Sequence, residues 1–476
     1  MTFDKLKEEH VMDLKFLKRS MAFIAVLFVA LVLVACGDDT VADTDGDDET
    51  TEEVVESPET PEADGDEIVL NITGWNDQFR YRLEEVVTLP EGVSINWIIN
   101  PNEGNVFQNE LIRMLPAGEI DLFVVEVDHI AQFIDSDLVA DVRELGLTDA
   151  DLANMFDYTL DVATGEDGAL RGVAWEANPG LFIYRRSIAE EVFGTDDPDV
   201  IQGYLQDWDA FSEAAARVNE YGHRMVAGHA DTYRTFSNNL SSPWVNENNE
   251  IVIDPHMMAW VDQTSHFITE GFAGAGVDLW SGEWSQGVNP GEGEPGVFGY
   301  FHAPWGISFV MRDQSLDVQL ADGGEEVVGN GTFGDWAAVP GPEGFFWGGT
   351  WIMAYSGSPH TELIRDIMYQ MTVDQNNLRT LTENFGDFVN NAAVVEEIAN
   401  DADFGSAFLG GQNHIALLAD AVDTIDMSHV GPFDQAITEA FQGAWGDYFE
   451  GIVDREGALD NFFDTVTTLH PHLQRP

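Results

Sequence analysis

Hydrophobic patterning begins at IVLNITGW, residues 68–75, which reads as a strand, followed by a helical stretch through Arg80 and Leu83. VSINWII, residues 93–99, predicts a second strand, and NVFQNELIRML, residues 105–115, a helix. The third strand is IDLFVVEV, Ile120 to Val127, which has no polar alternation. Strands buried on both faces and separated by helices at this spacing predict a parallel sheet covered on both sides. Further on, DWDAFSEAAARVNEYG predicts a helix with Asp207 near its start. SPHTELIRDIMYQM predicts another, with Ser358 as N-cap and Pro359 at the first helical position. Leu363, Ile364, Ile367, Met368 and Met371 share one face of it. Residues 432–466 read as helical throughout, and no internal repeat is present.

One stretch breaks the pattern. FFWGGTWIMAYSG, Phe345 to Gly357, has the residues of a buried strand, yet Gly348 and Gly349 lie between Trp347 and Trp351. Glycines in a strand cost packing and backbone entropy, and they mark places where something approaches the backbone closely.

Upstream of Ile68 the chemistry is different. Basic KFLKRS precedes MAFIAVLFVALVLVA, Met21 to Ala35, an apolar run of signal-peptide length and shorter than the ~20 residues that span a bilayer. It ends in Leu33-Val34-Ala35-Cys36, the pattern of a bacterial lipobox, so Cys36 is expected to carry lipid and to hold the chain on the outer face of the cell membrane. From Asp38 to Glu67 the chain is Asp, Glu and Thr with almost no aromatic residue, the composition of a self-repelling tether. Segments 1–35 and 36–67 are therefore expected to be a lipoprotein signal peptide and a disordered linker.

Composition sharpens this picture in three ways. The 476 residues carry 86 acidic against 20 basic side chains, a formal net charge of −66, so nucleic acid and anionic lipid headgroups are poor partners and no nucleic acid is expected. All four lysines, Lys5, Lys7, Lys15 and Lys18, precede the ordered region, which removes Schiff-base and phosphate-loop lysine chemistry. Arginine keeps its charge where lysine begins to lose it, near pH 10, so the pattern fits an alkaline, salty exterior; compositional drift is the plainer alternative. Cys36 is the only cysteine, so disulfides and cysteine-rich metal sites are excluded. No metal ligand set and no cofactor motif is found.

Catalytic templates are absent: no H-E-x-x-H, no G-x-S-x-G, no G-x-G-x-x-G after a strand. Carboxylate pairs carry no information among so many acids. Other segments do fall into a pattern. DLFVVEVDHIAQFIDSDLVADVREL, GVAWEANPGLFIYRR with DWDAFSEAAARV, GYFHAPWGI, and WAAVPGPEGFFWGGTWIMAYSGSPHTELIRDIMYQMT occur in this order. Together they resemble the carbohydrate-type solute-binding proteins of ABC transporters, family 1, the maltose-binding-protein type. Two departures stand out: Tyr184-Arg185-Arg186 replaces a Tyr-Asn-Lys stretch, and Asn390 in NFGDFVNNAAV stands where proline is usual.

The resemblance implies an α/β fold of the two-lobed periplasmic-binding-protein kind (type II-like), with ligand in a cleft between lobes and crossovers acting as hinges. One lobe is expected from residues 68–180 and 346–393, the other from 181–345 and 394–476. It implies a monomeric, non-catalytic receptor that captures a sugar or oligosaccharide and delivers it to membrane permease subunits. A surface lipoprotein enzyme acting on polysaccharide, or a receptor for a non-sugar solute such as a peptide or polyamine, are the alternatives.

A sugar needs flat apolar platforms for its C–H faces and acceptors or donors for its hydroxyls. Trp75 and Asn76 close the first strand, where carboxyl ends of parallel strands open onto a crevice, though both also suit core packing. By resemblance Asp128 is the cleft aspartate, and it serves equally as N-cap of the helix that follows. Trp175, Glu176 and Asn178 lie in the first crossover, and Tyr184 follows on a strand that also suits the core. Trp305 and Trp347 are the expected platforms, with Gly348 and Gly349 giving a ligand access to backbone N–H groups, while Trp351 is expected in the core. Phe433, beside Asp434 at the start of a late helix, is a further stacking candidate. Arg80 and Arg234 read as counter-ions for nearby acids, with hydrogen bonding to hydroxyls as the alternative.

Overall fold

The computed structural model describes residues 68–102, 106–291 and 294–476. The expected signal peptide, the acidic tether and Cys36 lie outside the described residues. Among the described residues eight strands form two sheets: β1 (Ile68–Gly74), β2 (Val93–Ile99), β3 (Leu122–Val125), β4 (Gly172–Ala174), β5 (Leu181–Arg185), β6 (Gly299–His302), β7 (Trp336–Val339) and β8 (Trp351–Ala354). The first sheet has the order β2-β1-β3-β8-β4, and the second β6-β5-β7. The chain leaves the first sheet between Ala174 and Leu181 and returns to it between Val339 and Trp351.

The parallel sheet expected from patterning is found only in part. β1 pairs in parallel with β2 from Ile68–Val93 to Gly74–Ile99, and with β3 at Ile72–Leu122. β8 runs antiparallel to both of its neighbours, with Val125 opposite Trp351 on one side and Ala174 opposite Trp351 on the other. The reason is its route. β8 arrives from the second sheet and not through a helical crossover, so nothing forces it into the common direction. The second sheet is antiparallel throughout.

The helices used below are α1 (Gln78–Val86), α2 (Val106–Ala117), α3 (Val127–Ile130), α4 (Trp208–Glu220), α5 (Tyr233–Ser237), α6 (Pro255–Glu270), α7 (Thr361–Thr372), α8 (Asp434–Phe449) and α9 (Arg455–Leu469). Asp207 caps α4 by accepting a hydrogen bond from the Ala210 N–H. α7 begins at Thr361, later than its sequence suggests, with His360 as the residue before the helix; the Ser358 hydroxyl donates to Asp121 Oδ1 at 2.6 Å and accepts from the His360 N–H at 3.2 Å. The predicted continuous C-terminal helix is two helices. Gly451 sits at φ +75°, and Asp454 caps the second helix through the Gly457 N–H.

The first sheet packs against α1, α2 and α7 around Ile72, Leu111, Phe123, Ile352 and Met368. One side of the second sheet covers a core of Phe182, Phe211, Phe298 and Phe301. A third core is mainly helical: α5, α6, α8 and α9 bury Tyr233, Trp260, Phe441, Trp445 and Phe462, joined by Trp244, Ile251 and Leu473 from the connecting segments. Much of the tryptophan supply is spent this way, since Trp175, Trp260, Trp284, Trp336, Trp351 and Trp445 are each less than 2% exposed.

Candidate functional site

The turn after β3 is the hub. The all-buried run Leu122–Val125 drives the strand into the sheet and delivers Glu126 and Asp128 to its end. Asp128 does not cap α3, whose preceding residue is Glu126; it lies in the helix's first turn and faces Arg234 of α5. The pair is two-pronged: Arg234 Nη1 donates to Asp128 Oδ1 at 2.8 Å, and Nη2 to Oδ2. Burial alone would raise the Asp128 carboxyl, but the guanidinium outweighs it and holds the group below its ordinary value. The counter-ion role read for Arg234 is therefore found, with a partner 106 residues away. Arg80 is likewise a counter-ion, pairing with Asp77 at 3.2 Å.

A cavity of about 210 Å³ opens beside the Asp128–Arg234 pair. Its walls come from α3 (Val127, Asp128), α5 and the residues after it (Arg234, Asn238, Asn239), the connector into β8 (Gly344, Phe345, Phe346), the loop 424–430, and α8 (Asp434, Thr438). Elements that follow the first sheet and elements that follow the second thus meet around one hollow. Phe346 N donates to Asn238 Oδ1 at 2.6 Å, which fixes the connector against α5.

Next to the hollow stands an indole cluster. Trp305 and Trp347 meet edge to face at 5.2 Å, and Trp280 lies 5.8 Å from Trp347 and 6.0 Å from Trp305. The Arg234 guanidinium sits 5.6 Å from the Trp347 ring centre, within cation–π range. His302 fills the space between, stacked on Trp280 at 5.8 Å and on Trp347 at 5.5 Å. Burial drives its pKa down to about 3, so the ring is neutral, and neither nitrogen has a hydrogen-bond partner among the described residues. Trp280 is 47% exposed and adopts φ +67°, a backbone conformation that bulky residues rarely hold.

The connector glycines serve close approach. Gly348 has φ +108°, its carbonyl accepts from Val127 N at 2.8 Å, and a Cβ there would lie 2.9 Å from Trp305 Nε1. At Gly349 a Cβ would meet Glu126 Cα at 3.0 Å. Trp305 Nε1 donates to the Trp347 carbonyl at 2.8 Å, and Asn178 Nδ2 donates to the Gly349 carbonyl. The protein's own atoms, the Trp305 indole at Gly348 and the backbone of the β3 turn at Gly349, occupy the space these glycines leave.

A second cluster lies at α1. Arg82 donates to both oxygens of Asp387, at 3.0 and 2.9 Å, and its Nη2 reaches Ser308 Oγ at 3.4 Å. Glu176 lies beside this pair, almost fully buried, and accepts from Gln78 Nε2 at 3.5 Å. Burial, then the charge of Asp387, raises its pKa well above the ordinary carboxylate range. Trp75, Asn76 and Trp175 line a narrow recess together with Thr350. Trp175 stacks on Phe79 at 5.2 Å and is buried, so it offers a ligand no free face.

Of the expected site residues only Asp128 lines the cavity; Trp347 is buried behind the wall, over the Arg234 guanidinium, with Trp305, Gly348 and Gly349 packed around it, and Trp75, Asn76, Trp175, Glu176 and Asn178 lie around the separate recess and the Arg82 cluster. Two are not brought in. Tyr184 is buried in the second sheet, stacked on Phe298 at 5.7 Å, with its hydroxyl donating to Asp196 O at 2.7 Å. Phe433 is covered by His470 and His472, at 5.1 and 5.4 Å, because the C-terminal segment folds back onto it. Sequence reasoning missed Trp280, Glu126 and the cavity-facing role of Asp434. Glu126 had a visible signal, being the only charge between Leu122 and Asp128; Trp280 had none. Among the described residues no group of three or more His, Cys, Asp or Glu is placed to hold a metal ion.

Residues 92–288 match the family model described as bacterial extracellular solute-binding protein. No curated protein sequence is similar to the chain. Among solved structures, an extracellular solute-binding protein of family 1 superposes with a TM-score of 0.67 at 17% identity, covering 84% of this chain and 99% of that one. The ABC-transporter-associated binding protein of B. animalis subsp. lactis, in complex with beta-1,6-galactobiose, gives 0.65 at 14% identity, with 86% and 99% covered. Maltose-bound MalE3 of T. maritima gives 0.62 at 15%, with 84% and 100% covered. The likeness extends along nearly the whole length of each neighbour, and it establishes the fold. The matched segment, residues 92–288, is similar to the bacterial extracellular solute-binding proteins, and the chain has the fold of a family 1 member of that group.

Proposed function

We propose that this protein is the receptor of an ABC importer, that it takes a sugar or oligosaccharide into the cavity beside Asp128 and Arg234, and that lipid on Cys36 tethers it to the outer face of the membrane. The observation that carries the reading is the cavity itself, a hollow with charged hydrogen-bonding groups at one end and an indole cluster next to it. That combination suits a solute with hydroxyls at its edge and C–H faces on its rings. The sugars bound by the neighbouring structures support it by analogy.

In this reading residues 68–180 with 346–393 and residues 181–345 with 394–476 act as lobes. The two connections between the sheets, 175–180 and 340–350, absorb their movement. Permease subunits then receive the loaded protein and supply the energy of transport. A thermal-shift screen of mono- and oligosaccharides at high salt and alkaline pH tests the reading. A rise in melting temperature with unchanged sugar is the expected result; release of new reducing ends would replace it with the polysaccharide enzyme. Replacing Cys36 with Ser tests the anchor, which predicts release of the protein from the membrane fraction.

A further inference from the structure

The overall acidity of this chain explains exposed carboxylates, which are solvated, but not buried ones. An ionised carboxylate away from water costs several kcal/mol unless a cation or several donors compensate it. Around the cavity this compensation is incomplete. Arg234 is taken up by both oxygens of Asp128. Glu126, on the same turn, accepts one neutral hydrogen bond, from Asn102 Nδ2 at 2.9 Å, and forms no ion pair among the described residues. Asp434 lines the cavity itself, accepts from the Gly431 N–H at 2.9 Å, and has no ion-pair partner among the described residues.

The cost appears in the proton equilibria. Burial, with the charge of Asp128 added, pushes Glu126 up to about 7 against the pull of Arg234. Burial also pushes Asp434 up to about 7, past the opposing Gly431 N–H, with Asp128 adding to the shift. His129, behind them, is kept neutral by burial and shares a hydrogen bond with Gln108 at 2.8 Å. Asp128 and Asp434 on the wall, with Glu126 just behind it, therefore converge where one guanidinium is present and already paired; Asp426 and His429 on the loop 424–430 complete the ionisable lining of the hollow. A hollow with this imbalance is complementary to a cation, and the indole cluster alongside it is complementary to a ring.

We propose that the solute is a sugar carrying an ammonium group, seated with its charge toward Asp434 and the Asp128–Glu126 turn. The proposal rests on the sugar-receptor reading above and specifies its substrate class. An ammonium donates up to three hydrogen bonds to carboxylates that otherwise have too few donors. Inside a cavity such bonds are screened far less by salt than surface pairs are.

Calorimetry at pH 7 on the full-length protein tests it with three probes: the β-1,4 glucosamine disaccharide, cellobiose, which carries hydroxyl in place of the ammonium, and spermidine. The expected result is at least about tenfold tighter binding of the amino disaccharide than of cellobiose, about 1.4 kcal/mol. Asp434→Asn, and separately Glu126→Gln, should cut that preference to a few-fold, with cooperative melting confirming that each variant is folded. Cellobiose binding as tightly as the amino sugar, or more tightly, overturns the charge assignment and leaves the sugar reading standing. Spermidine binding with neither disaccharide, or no binding at all, overturns both.

Discussion

Arg234 has three engagements at once: it pairs with Asp128, lies over Trp347 and forms part of the cavity wall. Replacing it with alanine leaves a buried carboxylate without its partner, and the expected loss of stability is about 3 kcal/mol in chemical denaturation. Asp128→Asn combined with Arg234→Met should recover a large part of that loss, because the stranded charge is then gone. Glu126 gives a test in pH. Its folded pKa, raised to about 7 from the 4.5 of a free glutamate, means the native state holds a proton that the unfolded chain releases. That contribution is fully present below pH 4.5 and is lost as pH rises through 7. In urea titrations Glu126→Gln should therefore flatten the decline in stability between those values, by roughly 1–3 kcal/mol at the upper end. Much of this was beyond the reach of sequence. Asp128 is legible as the residue that ends an apolar strand, but its pairing with a residue of another helix depends on how the chain folds back. Tyr184 suits a cleft or a core equally in sequence, and Phe433 looks like a stacking platform, until Phe298 and the C-terminal histidines cover them.

The connector into β8 shows what an element adds to its residues. As a string, Phe345 to Gly357 reads as one long strand interrupted by glycines; in the fold only Trp351–Ala354 are strand. The preceding residues thread between the β3 turn and Trp305, and Gly348 holds a left-handed φ of +108° that a side chain disfavours. Gly348→Ala should thus lose about 1–2 kcal/mol of stability in thermal melts and weaken solute binding in the same variant, since its Cβ would press on the Trp305 indole. An effect on binding alone would mean that this contact yields freely. Strand positions, helix faces and the Asp207 cap were legible because they depend on local periodicity and local hydrogen bonds. Strand direction in β8 and the break at Gly451 were not, because both are set by where distant segments must go.

Across the whole molecule the dominant quantity is a formal charge of −66. Self-repulsion at that density opposes compaction, and salt shortens its range from about 10 Å at 0.1 M to about 3 Å at 1 M. The melting temperature should rise steadily over that range of sodium chloride; a flat profile would mean that the acids are spaced widely enough not to interact. The two-sheet architecture was legible through its buried strands and the order of its motifs, whereas the mainly helical third core, built around α5, α6, α8 and α9, was not, since its tryptophans are indistinguishable by spacing from cleft residues. The cluster of Trp280, Trp305 and Trp347 has one more consequence. Indole emission responds to nearby charge, and here a guanidinium sits over one ring while a second ring is 47% exposed. A solute that draws Arg234 aside or covers Trp280 will change the colour and intensity of the protein's own fluorescence, so the cleft reports its occupancy without any attached dye.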